Sequence, residues 1–433
     1  MAATGSTAGI EAVYRVEFPR VVAVLAAFTG DIALAEDLAQ EALADALRQW
    51  PREGAPRNPG AWLTAVGKRK AIDAFRRRRT LQAKYDQIGS DLLSGPGRAL
   101  VAAGEDENEA HGPSDKEIDD DRLRLIFVAC HPVLALPARV ALTLRLVGGL
   151  TVPEIARAYL LPEATVAQRI VRAKKAIARA GVAFEVPVGE DRMVRLGAVL
   201  EVIYLIFNEG YSATAGANWV RPELCAEALR VGRVLAALTP DEPEVHGLVA
   251  LMELQSSRLR ARTSASGAPV LLLDQDRRTW DRLHIGRGEA ALKRADALAT
   301  ARGPYALQAA IAACHTRAFR PEETDWAELV ALYSALATIT PSPIIELNRA
   351  VAVSWASGAE AALALVDVLV ASGALERYHL LYSVRGDLLD KLGRHGEAAS
   401  EFERAAGLAS NSQEQALLSK RALASRCSSD GAR

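Results

Sequence analysis

The chain has 433 residues, half of them hydrophobic and only 5% aromatic, and its 52 basic and 53 acidic side chains leave a net charge of -1. This length leads us to expect about three domains, and the scarcity of aromatic residues favours helix over sheet. The near-zero charge excludes a uniformly basic nucleic-acid binder, so any cationic surface must come from local segregation.

Residues 1–9 are small and polar and are expected to fray. The pattern from residue 10 to 85 is helical. Within it, DIALAEDLAQEALADALR (31–48) places Leu38, Ala39, Ala42, Leu43, Ala46 and Leu47 on one helix face. Asp37, Gln40, Glu41 and Asp45 then form an acidic stripe, which by itself could be an ordinary solvated face. PGAWLTAVGKRKAIDAFRRRR (59–79) starts at a Pro-Gly pair and repeats Trp62, Leu63, Val66, Ile72 and Phe75 on one side. From Val66 to Lys84 there are eight basic residues against Asp73 alone. A helix of this kind can track phosphates, each neutralised phosphate adding salt-dependent affinity.

Residues 86–120 are rich in Gly, Pro, Ser and acids, the composition of an acidic flexible linker. Residues 121–183 are helical again and cationic. Thr151 and Glu154 have capping-box spacing and predict a short helix through Tyr159. Leu161-Pro162 turns the chain, with Pro162 suited to the first position of a second helix that runs to Ala180 and stops at Gly181. Val166, Ile170, Ala173 and Ile177 form its inner face; Thr165, Gln168, Arg169, Arg172, Lys175 and Arg179 point outward. This is a helix-turn-helix whose second helix can enter a major groove. Gln168 and Arg169 are placed to read base edges, and Arg172, Lys174 and Lys175 to hold phosphates.

Residues 188–425 are a run of amphipathic helices. Tyr382, Gly386, Leu389, Gly393, Ala398, Phe402 and Ala405 have tetratricopeptide spacing, and Ala350, Val353, Ala362 and Val366 make a weaker copy. Stacked hairpins of this type offer a surface to a protein or peptide ligand. Asn208, Glu209, Asp274, Asp276, Arg277, Asp281 and Asn348 interrupt apolar sequence. They suit either a ligand groove or helix caps and buried ion pairs.

Cys130, Cys225, Cys314 and Cys427 form no CxxC pair, so neither a disulfide framework nor a metal site is expected, and Cys130 and His131 are assigned to packing. No signal-peptide pattern opens the chain and no apolar run approaches a membrane span, so a cytoplasmic protein without membrane partner or cofactor is expected. There is no Ser-His-Asp order, phosphate-cradling glycine loop or HExxH to suggest an enzyme.

AEDLAQEAL (35–43) and the P-x-x-WL…AID-x-x-RRR block resemble region 2 of extracytoplasmic-function sigma factors, and residues 125–181 resemble sigma region 4. The resemblance implies an all-α protein: region 2 at 10–85, region 4 at 121–183, and an α-solenoid-like regulatory domain at 188–425. It implies that Asp37, Gln40 and Glu41 meet the clamp coiled coil of the largest subunit of RNA polymerase, with region 4 at the flap. It also implies that Trp62, Lys68, Arg69, Asp73, Arg76 and Arg77 lie at the melted minus-ten strand. Thr165, Gln168, Arg169, Arg172, Lys174 and Lys175 would then read the minus-thirty-five element. Arg69 stands where the family commonly has Asn, which leaves the minus-ten base preference open, and Trp62 suits either base stacking or the core. Several tail stretches, among them VIYLIFNEGYSA (202–213) and LLLDQDRRTWDR (271–282), resemble the extension of a sigma subgroup that ends in tetratricopeptide-like repeats. The competing reading is a one-component helix-turn-helix regulator with a helical sensor, which leaves the first basic module without a role.

Overall fold

The structure, a computed structural model, describes residues 17–92, 115–159, 161–212, 220–264, 269–409 and 412–431. These are helical throughout, with a single isolated bridge between Thr263 and Pro269 and no strand among the described residues. The chain divides into two compact units, Met1–Arg157 with Leu161–Val202, and Ala158–Leu160 with Ile203–Arg433.

The first unit opens with α1 (17–29), whose Phe18, Val21, Val22 and Leu25 are buried. Helix α2 (Ile32–Glu53) starts at Asp31, whose Oδ1 accepts the amides of Ala33 and Leu34 at 2.8 and 3.2 Å. It runs past the expected end to Glu53 and stops at Gly54, φ +86°. Helix α3 (Pro59–Leu92) crosses it, with Trp50 and Trp62 in edge contact at 5.5 Å. Gly67 allows the close approach of α1, since a Cβ there would lie 2.7 Å from a Leu25 methyl.

The interval expected to be linker is narrower than its composition suggested. Helix α3 reaches Leu92, and α4 (Asp115–Ala129) begins within the acidic stretch; the rest of the interval, 93–114, lies outside the described residues, as do residues 1–16. Helices α5 (Leu136–Leu146), α6 (Val152–Tyr159) and α7 (Glu163–Arg179) follow, and α8 (Gly189–Tyr211) leads on toward the tail.

In the second unit, α9 (Pro222–Leu238) packs on α10 (Pro243–Ser256), and α10, α11 (Arg282–Leu298) and α12 (Pro304–Arg317) share one core. Helix α10 is apolar almost all round because it is enclosed, with Val245, Leu248, Ala250, Met252 and Leu254 buried. The irregular stretch 257–281 is closed at its base by the Asp281 amide donating to the Ser257 carbonyl, 2.9 Å. Helices α13 (Trp326–Ile339), α14 (Pro343–Ala356), α15 (Ala359–Ser372), α16 (His379–Lys391), α17 (His395–Leu408) and α18 (Ser412–Gly431) follow, each packed on the next.

A second core joins α14 to α18 and contains Ala350, Ala362, Val366, Tyr382, Leu389, Ala398, Phe402 and Ala405. The small residues act as the spacing implied. A Cβ on Gly386 would sit 2.9 Å from the Phe402 ring, and Gly393 turns the chain at φ +74°. Phe402→Ala is expected to destabilise the second unit by about 3–5 kcal/mol, and Gly386→Val by about 1–3 kcal/mol. Urea unfolding of the full chain checks both. Restoration of part of the Gly386→Val loss by a smaller residue at position 402 would identify the overlap as the cause.

Candidate nucleic-acid interface

The sharpest local geometry is at α6 and α7. Thr151 and Glu154 form the reciprocal cap: the Glu154 Oε2 accepts the Thr151 amide at 2.8 Å, and the Thr151 hydroxyl accepts the Glu154 amide at 3.4 Å. Pro162 is the residue before α7 rather than its first, its ψ of 139° setting the entry angle, and Gly181 ends the helix at φ +61°. Val166, Ile170, Ala173 and Ile177 are buried, as the periodicity required. Thr165, Gln168, Arg172 and Lys175 are exposed along the opposite face, and Arg169 is half-buried beside them.

Lys174 departs from the expectation. Its Nζ is 2.7 Å from Oε2 of Glu36 on α2, and its side chain is only 13% exposed. The Arg145 Nε of α5 donates to the other oxygen of Glu36 at 2.6 Å, while its Nη1 donates to the Leu150 carbonyl at 3.0 Å. The Arg145 guanidinium also lies 5.2 Å from the Phe18 ring of α1. Glu36 is 2% exposed. Burial alone would raise its pKa, but the two cations overcome that penalty and hold the carboxyl below its ordinary value. Lys174 is thus occupied as a counterion and is not free for a phosphate in this arrangement.

On α2, Asp37, Gln40 and Glu41 are exposed as expected, next to buried Glu36. Asp37 has its pKa raised, first by partial burial and further by Glu36, Glu41 and Asp31, against the opposing pull of Lys174. Lys70 of α3 bridges Glu41 and Asp45, 3.1 Å from each. Leu47, assigned to the inner face, is exposed, because the helix turns position 47 away from α3 and buries Trp50 instead.

Along α3, Arg69, Asp73, Arg76 and Arg77 are exposed and Lys68 is half-buried, its Nζ 5.7 Å from the Phe28 ring. Trp62 is half-buried against Trp50, so its ring serves packing, with part of its surface in solvent. Ile72 and Phe75 were expected inside, yet they are 41% and 38% exposed, and Phe75 lies near Phe28, itself 44% exposed. The Phe28 and Phe75 rings are 6.4 Å apart. Apart from the Phe28 ring of α1 beside Phe75, this face is largely open to solvent at both positions. Phe28 had no signal in the sequence beyond its aromatic ring; only its position beside Phe75 and Lys68 marks it.

Cys130 is fully packed, its Sγ 3.2 Å from the Thr143 hydroxyl, and burial pushes its thiol up to about 12. The His131 Nδ1 accepts the Val133 amide at 3.1 Å. No group of side chains suited to a metal ion occurs among the described residues. In the tail, Glu209 pairs with Arg221. Asp276 and Asp281 cap the turns that follow them. Asp274 and Asn348 line a cavity, and Arg277 is buried.

Residues 13–80 match the sigma-70 region 2 family, residues 124–177 the sigma-70 region 4 family, and residues 195–296 a family of unknown function (DUF6596). An uncharacterized protein of Rhizobium meliloti (strain 1021), R00370, is 46% identical over 402 residues, 92% of each chain. No solved structure matches the chain. With a capped helix-turn-helix in the region 4 match, an acidic and a basic helix in the region 2 match, and a helical tail beyond both, the chain belongs to the sigma-70 family as an extracytoplasmic-function-like sigma factor with a C-terminal extension.

Proposed function

We propose that the protein docks on core RNA polymerase through Asp37, Gln40 and Glu41, directs it to promoters, and is modulated by its C-terminal unit. The observation that carries this reading is the coexistence, in one unit, of two separate cationic helix faces beside an exposed acidic helix. A one-component regulator needs only the helix-turn-helix face of α7 and leaves the basic face of α3 and the acidic helix without a role. The acidic stripe would meet the clamp coiled coil of the polymerase largest subunit, and region 4 the flap.

Thr165, Gln168 and Arg169 would read the minus-thirty-five element, while Arg172 and Lys175 hold its phosphates. Lys68, Arg69, Arg76 and Arg77 would track the minus-ten strand near Trp62 and Asp73. Exposed Phe28 and Phe75 add rings on which unpaired bases can stack, worth about 1–3 kcal/mol per base in single-strand binders. The C-terminal unit, read as tetratricopeptide-like hairpins, would receive a regulatory protein or peptide. We place the protein in the cytoplasm; no described helix is long and apolar enough to cross a membrane.

This reading requires the two modules to part. Promoter elements centred at minus ten and minus thirty-five are roughly 25 base pairs, or ~85 Å, apart at ~3.4 Å per pair. A direct bond between α2 and α7 through Glu36 and Lys174 is incompatible with such a span. The closed arrangement would therefore be that of the sigma factor before it engages polymerase, and Lys174 would reach DNA only after opening.

Run-off transcription with purified core polymerase and genomic promoter fragments tests the assignment; failure to initiate at any defined site, with the tail present or removed, overturns it. Charge reversal at Asp37 and Glu41 is expected to abolish co-purification with core polymerase while helical content by circular dichroism is unchanged. Arg172→Ala is expected to weaken binding to all promoters alike and lower the salt slope by about one, whereas Gln168→Ala is expected to relax sequence preference at one position. Glu36→Gln should open the modules, read as a fall in energy transfer between dyes at positions 78 and 178. Acid should do the same to the parent. Because the folded pKa of Glu36 is depressed, its contribution is fully present above the ordinary Glu value of about 4.3 and is lost as pH falls through the folded value.

A further inference from the structure

The second unit buries two guanidiniums that are not directly paired with a carboxylate, although Glu322 and Glu323 act on Arg277 from beyond ion-pair distance. Arg258 and Arg277 are 8% and 4% exposed. Neither has an acidic partner within ion-pair distance among the described residues. Arg258 donates to the Tyr211 hydroxyl and lies 5.6 Å from the Trp280 ring. Arg277 lies 5.2 Å from the same ring and donates to the carbonyls of His315 and Ala318 at 2.9 and 3.0 Å and to the Thr324 hydroxyl at 3.2 Å. Contacts with ring faces and carbonyls satisfy part of each guanidinium but do not neutralise it.

Unmet polar atoms concentrate in the same place. The Nε atoms of Arg258 and Arg277, the indole nitrogens of Trp280 and Trp326, and the His315 Nδ1 are buried without a hydrogen-bond partner. The contacts run in series toward a cavity: Arg277 to the His315 backbone, the His315 ring against Trp326 at 5.7 Å, and Trp326 stacked on Trp355 at 5.1 Å. The cavity has a volume of about 740 Å³, and His315, Trp326, Tyr333, Asn348 and Trp355 are in its wall. Leu272, Leu329 and Val351 supply apolar surface. Of its two acids, Asp387 is bound by Arg421 and Lys391, and Asp274 is exposed, as is Lys420 in the same wall.

We propose that this cavity is a binding site for a small amphipathic organic anion, an aromatic or aliphatic body bearing one acidic group. The volume lies within the range of about 300–1,000 Å³ that encloses ligands of this size. The apolar wall suits the body, and the unmatched guanidiniums behind His315 suit the acidic group by field rather than by direct contact. That field is felt at the wall: burial first, then Arg258 and Arg277, push the His315 imidazole down to about 3, so it stays neutral at physiological pH. A neutral imidazole can donate to an anion without proton uptake. The proposal is independent of promoter binding and does not rest on the sigma assignment.

A matched pair of probes isolates the charge. 8-Anilinonaphthalene-1-sulfonate and N-phenyl-1-naphthylamine share one ring system and differ by the sulfonate. Titrated into the full chain and followed by fluorescence, the sulfonate is expected to bind at one site at least about tenfold more tightly, the margin of one charge-assisted hydrogen bond. Val351→Trp, which fills the cavity, should remove binding of both probes; Arg277→Gln should weaken the sulfonate alone. Should Arg277→Gln fail to fold, the ratio of the two probes and the Val351→Trp variant still decide. Equal affinity for the two probes, several equivalent sites, or binding unchanged in Val351→Trp overturns the proposal. So does capture of a peptide that the sulfonate does not displace from this cavity.

Discussion

A single carboxylate fixes the arrangement of the first unit. Glu36 is withdrawn from water on the helix that carries the acidic stripe, and it is shared between Arg145 of the region 4 scaffold and Lys174 of the recognition helix. An unpaired carboxylate at 2% exposure would be strongly disfavoured, and so would the two cations left by its removal. The three charges are therefore tolerable only together. Their union brings α2 and α7 into one body.

The lock rests on ordinary apolar packing. Leu25 against Gly67 sets the distance between α1 and α3, and Trp50 against Trp62 fixes the crossing of α2 and α3. In region 4 the reciprocal Thr151–Glu154 cap and the buried row Val166, Ile170, Ala173 and Ile177 hold α7 with its polar face outward. Charge alone does not make such a face: the buried row orients it, and the cap determines where the helix-turn-helix begins.

The second unit follows a different economy. Its helices pack on their sequence neighbours, and its cores are apolar with close approaches such as Gly386 on Phe402. Polar exceptions are mostly resolved locally. Glu253, 2% exposed, receives both Arg233 and His284. Glu244 accepts the first amides of α12, and Asp281 those of α11. Against that background, Arg258 and Arg277, held by aromatic rings, hydroxyls and carbonyls with no direct ion pair among the described residues, stand out as an arrangement suited to an external anion.

Much of this was legible in the residues. Period, caps and breakers located α2, α3, α6 and α7, because local hydrogen bonding and a single buried face dictate them. The same logic exposed Asp37, Gln40, Glu41, Thr165, Gln168 and Arg172, since a residue opposite a buried row has nowhere else to go. Three kinds of feature were not legible, all for want of knowing what each face meets. Leu47, Ile72 and Phe75 fall on apolar stripes, but position 47 is turned away from α3, and Ile72 and Phe75 are left largely open to solvent. Glu36 reads as one more acid in an acidic helix until Arg145, 109 positions away, and Lys174, 138 positions away, are brought to it. Arg277 suits a groove or a buried ion pair equally well in the sequence, and Arg258 carries no signal there; only helix packing shows that both are enclosed by rings and carbonyls. Sequence determined the helices and their faces, which are set within a few turns of chain; the tertiary structure alone decided which charges lose their water and which partner, if any, each then finds.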